Sequence, residues 1–323
     1  TDLVQRKFHK QLLTAVYRRE LADSEFNKVT EVLEEAGIRY MPLKGSVIKD
    51  YYPESWMRTS SDIDILVHED DLPEVSELLS EKLDYVIREK GKHDVGAITQ
   101  TGMHIEMHYR LSEDEKADEI LSGVWDTAKL SEGKKCCYEM SDEFFAFYHL
   151  SHMAKHFSHG GCGVRYYIDL WLINNNIMYD EKKLCSLLED VGLTQFRKTS
   201  EDIIAMWFYG KKSDELTKRA GTFVLEGGVY GNVEQHIAVR QYGKLGKLKY
   251  ILNRIFIKKN TLMFLYPEIK KYPLLVPYYM VKRWMKIFNK EKRERVKCEI
   301  KANVSLKQSK KEEVLGLMKE LGI

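Results

Sequence analysis

The predicted class is α+β: helices at the N-terminus, a small mixed sheet, and a mainly helical C-terminal region. Two patterns carry that expectation. Up to about Leu111, helix-spaced apolar runs alternate with four or five β-branched, strand-like runs; beyond it strand signals thin out while helical spacing continues. Size supports it as well. A chain of 323 residues, 44% hydrophobic and 31% charged, suffices for one large or two modest domains with real cores.

Residues 3–36 read as two helices. Leu3, Val4, Phe8, Leu12, Leu13, Val16 and Tyr17 recur at helical spacing. Ser24 is placed to cap a second helix bearing Phe26, Val29, Val32 and Leu33, which Gly37 ends. A strand over 38–43 runs into Leu43-Lys44-Gly45-Ser46, followed by a brief helix over 47–52 and a loop holding Pro53, Arg58, Ser60 and Ser61. Residues 62–67, Asp-Ile-Asp-Ile-Leu-Val, have the β-branched character of a strand. Helix returns over 70–82 and strand over 85–89, and residues 95–99 and 103–111 flank Thr101-Gly102 as a hairpin. Further helices are expected over 144–157, 166–174, 182–191 and 196–209. The chain divides accordingly into N-terminal helices packing on the core (1–36), a sheet domain (37–111), a helical domain lining a cleft (112–243) and a basic helical C-terminal region (244–323).

Composition excludes some classes. No stretch approaches the ~18 uncharged apolar residues of a membrane-spanning helix, and the first residues lack the apolar core of a secretory signal. Five cysteines without a Cys-x-x-Cys pair read as reduced thiols, so a cytoplasmic setting is expected. Net charge is only +2, yet residues 244–323 carry 21 Lys/Arg against 7 Asp/Glu. Such a segment is either a solvated lysine-rich face packed on the core or a polyanion-facing surface with peripheral membrane contact.

The chemistry-bearing residues lie on two strands. Side chains alternate across a strand, so Asp62 and Asp64 share one face while Ile63 and Ile65 point to the core. Carboxylates about 7 Å apart along one strand repel each other unless a cation sits between them. A hard divalent ion such as Mg²⁺ takes oxygen ligands and keeps positions open for phosphate oxygens. In His104-Ile105-Glu106-Met107-His108 the pattern repeats, with His104, Glu106 and His108 on one face. If the two strands are neighbours, Glu106 supplies a third carboxylate. By itself an Asp-x-Asp is weak evidence, since an acidic pair at a strand end can simply face solvent. Gly45-Ser46 strengthens it, because a turn between strand and helix offers bare N–H groups to a phosphate.

These residues resemble the polymerase-β-type nucleotidyltransferase superfamily: a Gly-Ser turn, a strand with Asp-x-Asp, and a third acid on a later strand. The likeness is closer still to a bacterial family described as uncharacterised nucleotidyltransferases. It is carried by Leu43-Lys44-Gly45, Arg58 four positions before Asp62, Asp62-Ile63-Asp64-Ile65-Leu66-Val67 and Ile105-Glu106-Met107-His108, and it continues through residues 152–171. The 15 residues between Ser46 and Asp62 exceed the loop usual in the wider superfamily.

The resemblance implies a small mixed nucleotidyltransferase-type sheet in 37–111. It implies transfer of a nucleoside monophosphate from an NTP, ATP foremost, to an acceptor hydroxyl or phosphate, with release of pyrophosphate. Asp62, Asp64 and Glu106 are then the catalytic and metal-binding residues, for Mg²⁺ or Mn²⁺, and the Gly45 backbone and Ser46 hold the triphosphate. Lys44 and Arg58 are expected phosphate partners, the alternative for Lys44 being a strand-end surface lysine. No specific nucleic acid is expected. The rival reading is a non-catalytic nucleotide-binding or membrane-surface accessory protein in envelope or polysaccharide assembly.

Farther along, His149, His152 and His156 sit at i, i+3 and i+7 on one helical face, with Lys155 beside them and Arg165 after Gly160-Gly161-Cys162-Gly163. Zinc is disfavoured because no carboxylate or cysteine completes a tetrahedral set. Lys155, His156 and Arg165 are expected to reach the nucleotide across the cleft. A plain helix ion pair between Arg165 and Asp169 is the alternative.

Overall fold

Residues 2–36, without a single glycine or proline, form one continuous helix in the computed structural model, α1 (Asp2–Ala36). Described by the structure are residues 2–160, 162–229, 233–240, 272–285 and 308–323, with 255–257, 262, 266 and 269. The expected break at Ser24 does not occur. Nothing there stops helix propagation: Arg19 pairs with Asp23 at i+4, 2.7 Å, and Glu25, in place of opening a new helix, is buried against Lys28 and the Tyr85 hydroxyl. The C-terminal half of α1 buries Ala22, Val29, Val32 and Leu33, whereas Leu3, Phe8, Leu13 and Tyr17 stay exposed.

The chain divides into two compact units, each interrupted in sequence: residues 1–152 with 168–191, and residues 153–167 with 192–323. The first unit holds a five-stranded sheet. Its strands are β1 (Tyr40–Pro42), β2 (Asp62–Val67), β3 (Val86–Lys90), β4 (Asp94–Ile98) and β5 (His104–His108), in spatial order β1-β2-β5-β4-β3. Three pairings are antiparallel, as hairpins and short returns allow. The pairing of β2 with β5 is parallel. Its crossover runs through α3 (Leu72–Leu83), which packs Leu72, Val75 and Leu79 into the core beside α1. Ile63, Ile65 and Val67 of β2 and Ile105 and Met107 of β5 fill that core, so the alternating side chains are turned to the opposite face.

A brief helix α2 (Gly45–Ile48) continues as a 3₁₀ turn (Lys49–Tyr51). After β5 come α4 (Glu115–Ser122) and a small hairpin, β6 (Lys129–Leu130) with β7 (Tyr138–Glu139). Helices α5 (Asp142–Ser158) and α6 (Val164–Asn176) follow, and Ile48 packs with Phe145 of α5 and Ile173 of α6. Also in the first unit is α7 (Glu181–Asp190).

In the second unit lie α8 (Thr194–Tyr209), α9 (Glu215–Gly227), α10 (Val233–Arg240), α11 (Val276–Met285) and α12 (Gln308–Leu321). Phe157 there packs between Phe196 and Phe223. Gly160 and Gly163 are glycines because the chain's own backbone crowds them: a Cβ at Gly160 would meet Gln235 and His236, and one at Gly163 would meet Gly228 and Val229. Of the basic C-terminal region, Lys282 lies over the rings of Tyr266, Tyr278 and Tyr279. Arg283 and the Trp284 indole both donate to the Ile255 carbonyl, whereas Lys249, Tyr250, Arg254, Lys258, Lys286 and Phe288 of the same region lie outside the described residues. Among the described residues, no helix is long and apolar enough to cross a membrane.

Candidate functional site

Register decides the site. In the parallel β2–β5 pair, Asp64 stands directly opposite Glu106 and Asp62 opposite His104. Both carboxylates therefore emerge on the same face, and His108, two residues past Glu106, emerges beside them. The His108 imidazole bridges them: its Nε2 lies 2.8 Å from Asp64 Oδ1 and 3.4 Å from Glu106 Oε2. One donor atom from each of Asp64, Glu106 and His108 falls within 4.8 Å of the others, a group that could hold a metal ion.

Asp62 opens β2 at an intermediate depth, and its Oδ1 accepts a hydrogen bond from Ser60 Oγ at 2.7 Å. It lies outside that group of three. His108 was legible in the strand alternation as a same-face neighbour of Glu106, but the composition of an all-carboxylate site gave no reason to choose it.

Lys44 closes the site from the turn after β1. Its Nζ donates to Asp64 Oδ1 at 2.7 Å, and Tyr148 of α5 lies close enough to feel its charge. The backbone is bent to place it: Lys44 has φ 46° and ψ −116°, a conformation that L side chains rarely adopt. The Leu43 N–H donates to the Asp64 carbonyl, so the turn hangs on the strand that carries the acid. The Ser46 N–H is used within the turn, donating to the Leu43 carbonyl.

Charges here shift one another. Burial raises the Asp64 carboxyl, but the Lys44 charge and the His108 hydrogen bond outweigh it and hold Asp64 well below the usual carboxylate range. Burial pulls Lys44 down, yet its Tyr148 and Asp64 neighbours keep it above the ordinary ammonium value. His108 behaves likewise: burial lowers it, and its bonds to Asp64 and Glu106 bring it above the ordinary imidazole value. Tyr148 is pushed up by burial. The site thus sets an ionised Asp64 between the Lys44 ammonium and the His108 imidazole.

Arg58, expected at the phosphates, is only 5% exposed, and its guanidinium grips Asp169 of α6, which is fully buried. Nε lies 3.0 Å from each carboxylate oxygen, Nη2 3.0 Å from Oδ2, and the Tyr52 hydroxyl donates to Oδ1 at 2.6 Å. Nη1 sits where a Cβ on Gly45 would meet it at 3.0 Å, so the glycine turn is seated on this guanidinium. Neither Tyr52 nor Tyr148 carried any spacing signal, since Tyr52 ends the 3₁₀ turn and Tyr148 lies on α5, both separate from the two strands.

His152 belongs to the first unit, beside the Tyr148 ring at 6.1 Å between centroids. Lys155, His156 and Arg165 belong to the second. There His156 stacks on Tyr166 at 5.1 Å, and the Arg165 guanidinium lies 5.6 Å from the same ring.

A family model described as "Uncharacterised nucleotidyltransferase" matches residues 2–208. None of the curated proteins matches the chain. Among solved structures, the chain is similar to the antibiotic-resistance factor ANT(2″)-Ia, known from its solution structure, at 9% identity. That similarity covers 60% of this chain and 100% of the other, with a TM-score of 0.40.

Proposed function

The chain belongs to this family of nucleotidyltransferases, and from that premise we propose that it transfers a nucleoside monophosphate from an NTP, ATP foremost, to an acceptor hydroxyl or phosphate. The observation that carries the proposal is the β2–β5 register, which sets Asp64 opposite Glu106 beneath the Lys44-Gly45-Ser46 turn. The donor group fits a divalent cation: carboxylate oxygens and an imidazole nitrogen at mutual distances suited to one ion. When bound, such ions activate the attacking oxygen and stabilise the leaving pyrophosphate.

The residues of the chain supply the rest. Asp62 and Asp64 offer charge on one strand face, and Glu106 faces Asp64 from the neighbouring strand. Glu106, at 34% more exposed than Asp64 at 5%, is assigned to accept the acceptor's proton, unless another of these carboxylates faces the acceptor. Lys44 can trade its Asp64 bond for a phosphate oxygen without leaving the turn, and the Ser46 hydroxyl and the Gly45 backbone complete the cradle. Arg58 adds positive charge from behind Gly45 while Asp169 holds it in place. Lys155, His156 and Arg165 are assigned to nucleotide contact on charge alone. Replacing Lys155 and Arg165 by Gln should raise KM for NTP and leave the melting temperature unchanged; an unchanged KM removes them from the site.

The deciding experiment incubates the pure chain with α-labelled NTPs, Mg²⁺ or Mn²⁺, and small-molecule, sugar, peptide and protein acceptors. Labelled product with stoichiometric pyrophosphate is expected. NTP binding with no pyrophosphate under any condition would transfer the chain to the accessory reading.

A further inference from the structure

We propose that the resident ion of this centre is a first-row transition metal of the Mn²⁺ type, with His108 Nε2 as a direct ligand beside Asp64 and Glu106. The inference rests on the proposed nucleotidyl transfer only for what the ion is used for; the donor set stands on the geometry.

Ligands bound about 2.1 Å from one ion lie roughly 3 Å apart when adjacent in its coordination shell. The observed separations from His108 Nε2, 2.8 Å to Asp64 and 3.4 Å to Glu106, are of that size. His108 is 4% exposed, so its ring is fixed by the sheet and not free to swing into solvent. An ion held by both carboxylates in this arrangement meets an imidazole nitrogen as its third neighbour on the protein side.

That nitrogen matters for selectivity. Mg²⁺ demands an oxygen octahedron and parts with its water reluctantly, whereas Mn²⁺, Fe²⁺ and Co²⁺ accept imidazole readily. A site with one nitrogen and two carboxylates therefore favours the transition metal, and phosphate oxygens of the NTP can still fill the positions facing away from the sheet. A structural role for His108, as a donor that merely quiets two carboxylates, is the competing account. Lys44 already supplies such a donor to Asp64 at 2.7 Å, which leaves that task partly redundant.

Electron spin-echo spectroscopy of the full chain with Mn²⁺ alone separates the accounts. Expected is bound Mn²⁺ whose echo is modulated by a directly coordinated ¹⁴N. In protein labelled with ¹⁵N-histidine the modulation should change to that of ¹⁵N, and in folded His108→Gln it should vanish. Competition titrations should show Mn²⁺ bound at least about tenfold more tightly than Mg²⁺, with most of that margin lost in His108→Gln. Bound Mn²⁺ without nitrogen modulation in the unaltered chain overturns the inference and requires no variant. So does modulation that persists in His108→Gln, or no bound Mn²⁺ at all. Labelled product without nitrogen coordination sinks this inference alone. Nitrogen coordination without product from any NTP sinks the reaction and leaves the metal centre standing.

Discussion

Asp64 is held by Lys44 and His108 at 2.7 and 2.8 Å, while Asp62 accepts, among the described residues, from Ser60, and the two aspartates should respond differently to the same change. Asp62→Asn removes a charge at an intermediate depth, so turnover should fall by more than ~10²-fold with little change in melting temperature. Asp64→Asn should abolish turnover and also cost on the order of 1–3 kcal/mol, because a buried partner is withdrawn from two donors. Thermal melts beside pyrophosphate-release assays distinguish the two; equal activity to the parent in either variant removes that residue from the site. Arg58 makes a sharper case. Its guanidinium and Asp169 are both buried, so Arg58→Ala strands a carboxylate in the interior at a cost of roughly 3–5 kcal/mol. Tyr52→Phe removes one hydrogen bond to the same carboxylate and should cost only about 1 kcal/mol. A denaturant series on both variants checks the order; equal destabilisation would contradict the buried ion pair as the main strut.

At the scale of elements, the parallel contact of β2 and β5 does what no single strand can: it converts two alternating patterns into one facing pair of acids. The C-terminal end of α1 is fastened to the approach to β7 through Glu34, whose carboxylate accepts from the Lys135 and Cys136 N–H groups and from the Tyr40 hydroxyl. Burial is the largest single influence and raises the Glu34 carboxyl, but those hydrogen bonds together prevail and place it below its ordinary value. A carboxyl lowered in the folded state contributes stability that is present above its unfolded pKa and is lost as pH falls through the folded one. Stability of the parent should therefore decline in acid more steeply than that of Glu34→Gln, with a difference under about 1 kcal/mol at neutral pH. Parallel stability–pH curves for the two proteins would refute this latch.

For the molecule as a whole, the first compact unit is discontinuous, made of residues 1–152 and 168–191. All three acids precede residue 152, yet Asp169 and Ile173, which back Arg58 and Ile48, come after the excursion into the second unit. A fragment ending at residue 152 should thus lose its cooperative melt although it keeps Asp62, Asp64 and Glu106. Circular dichroism on heating tests this, and a fragment that melts like the full chain would show that α6 is dispensable to the site.

Local pattern was enough for the five strands of the sheet and for α3 and α5 to α8, while α4, α9, α10 and the β6–β7 hairpin carried no signal that singled them out. Asp-Ile-Asp-Ile-Leu-Val reads as a strand from its β-branched alternation, the hairpin from Thr101-Gly102, and α5 to α8 from their helical spacing, because these signals live within one element. The shared face of Asp62 and Asp64 is likewise a property of one strand. The break at Ser24 was misread for a related reason. A serine can cap a helix, but only the burial of Glu25 and Val29 in the assembled core decides that the helix runs through. Register, the guanidinium beneath Gly45, and the arrival of Tyr148 and His108 at Asp64 depend on which elements become neighbours. No window of sequence contains both partners of such a contact: Arg58 and Asp169 are 111 residues apart, and packing alone brings them together. The sequence by itself thus determined the α+β class and named the candidate acids. The tertiary structure decided which cations face those acids, since that choice is made by burial across distant segments.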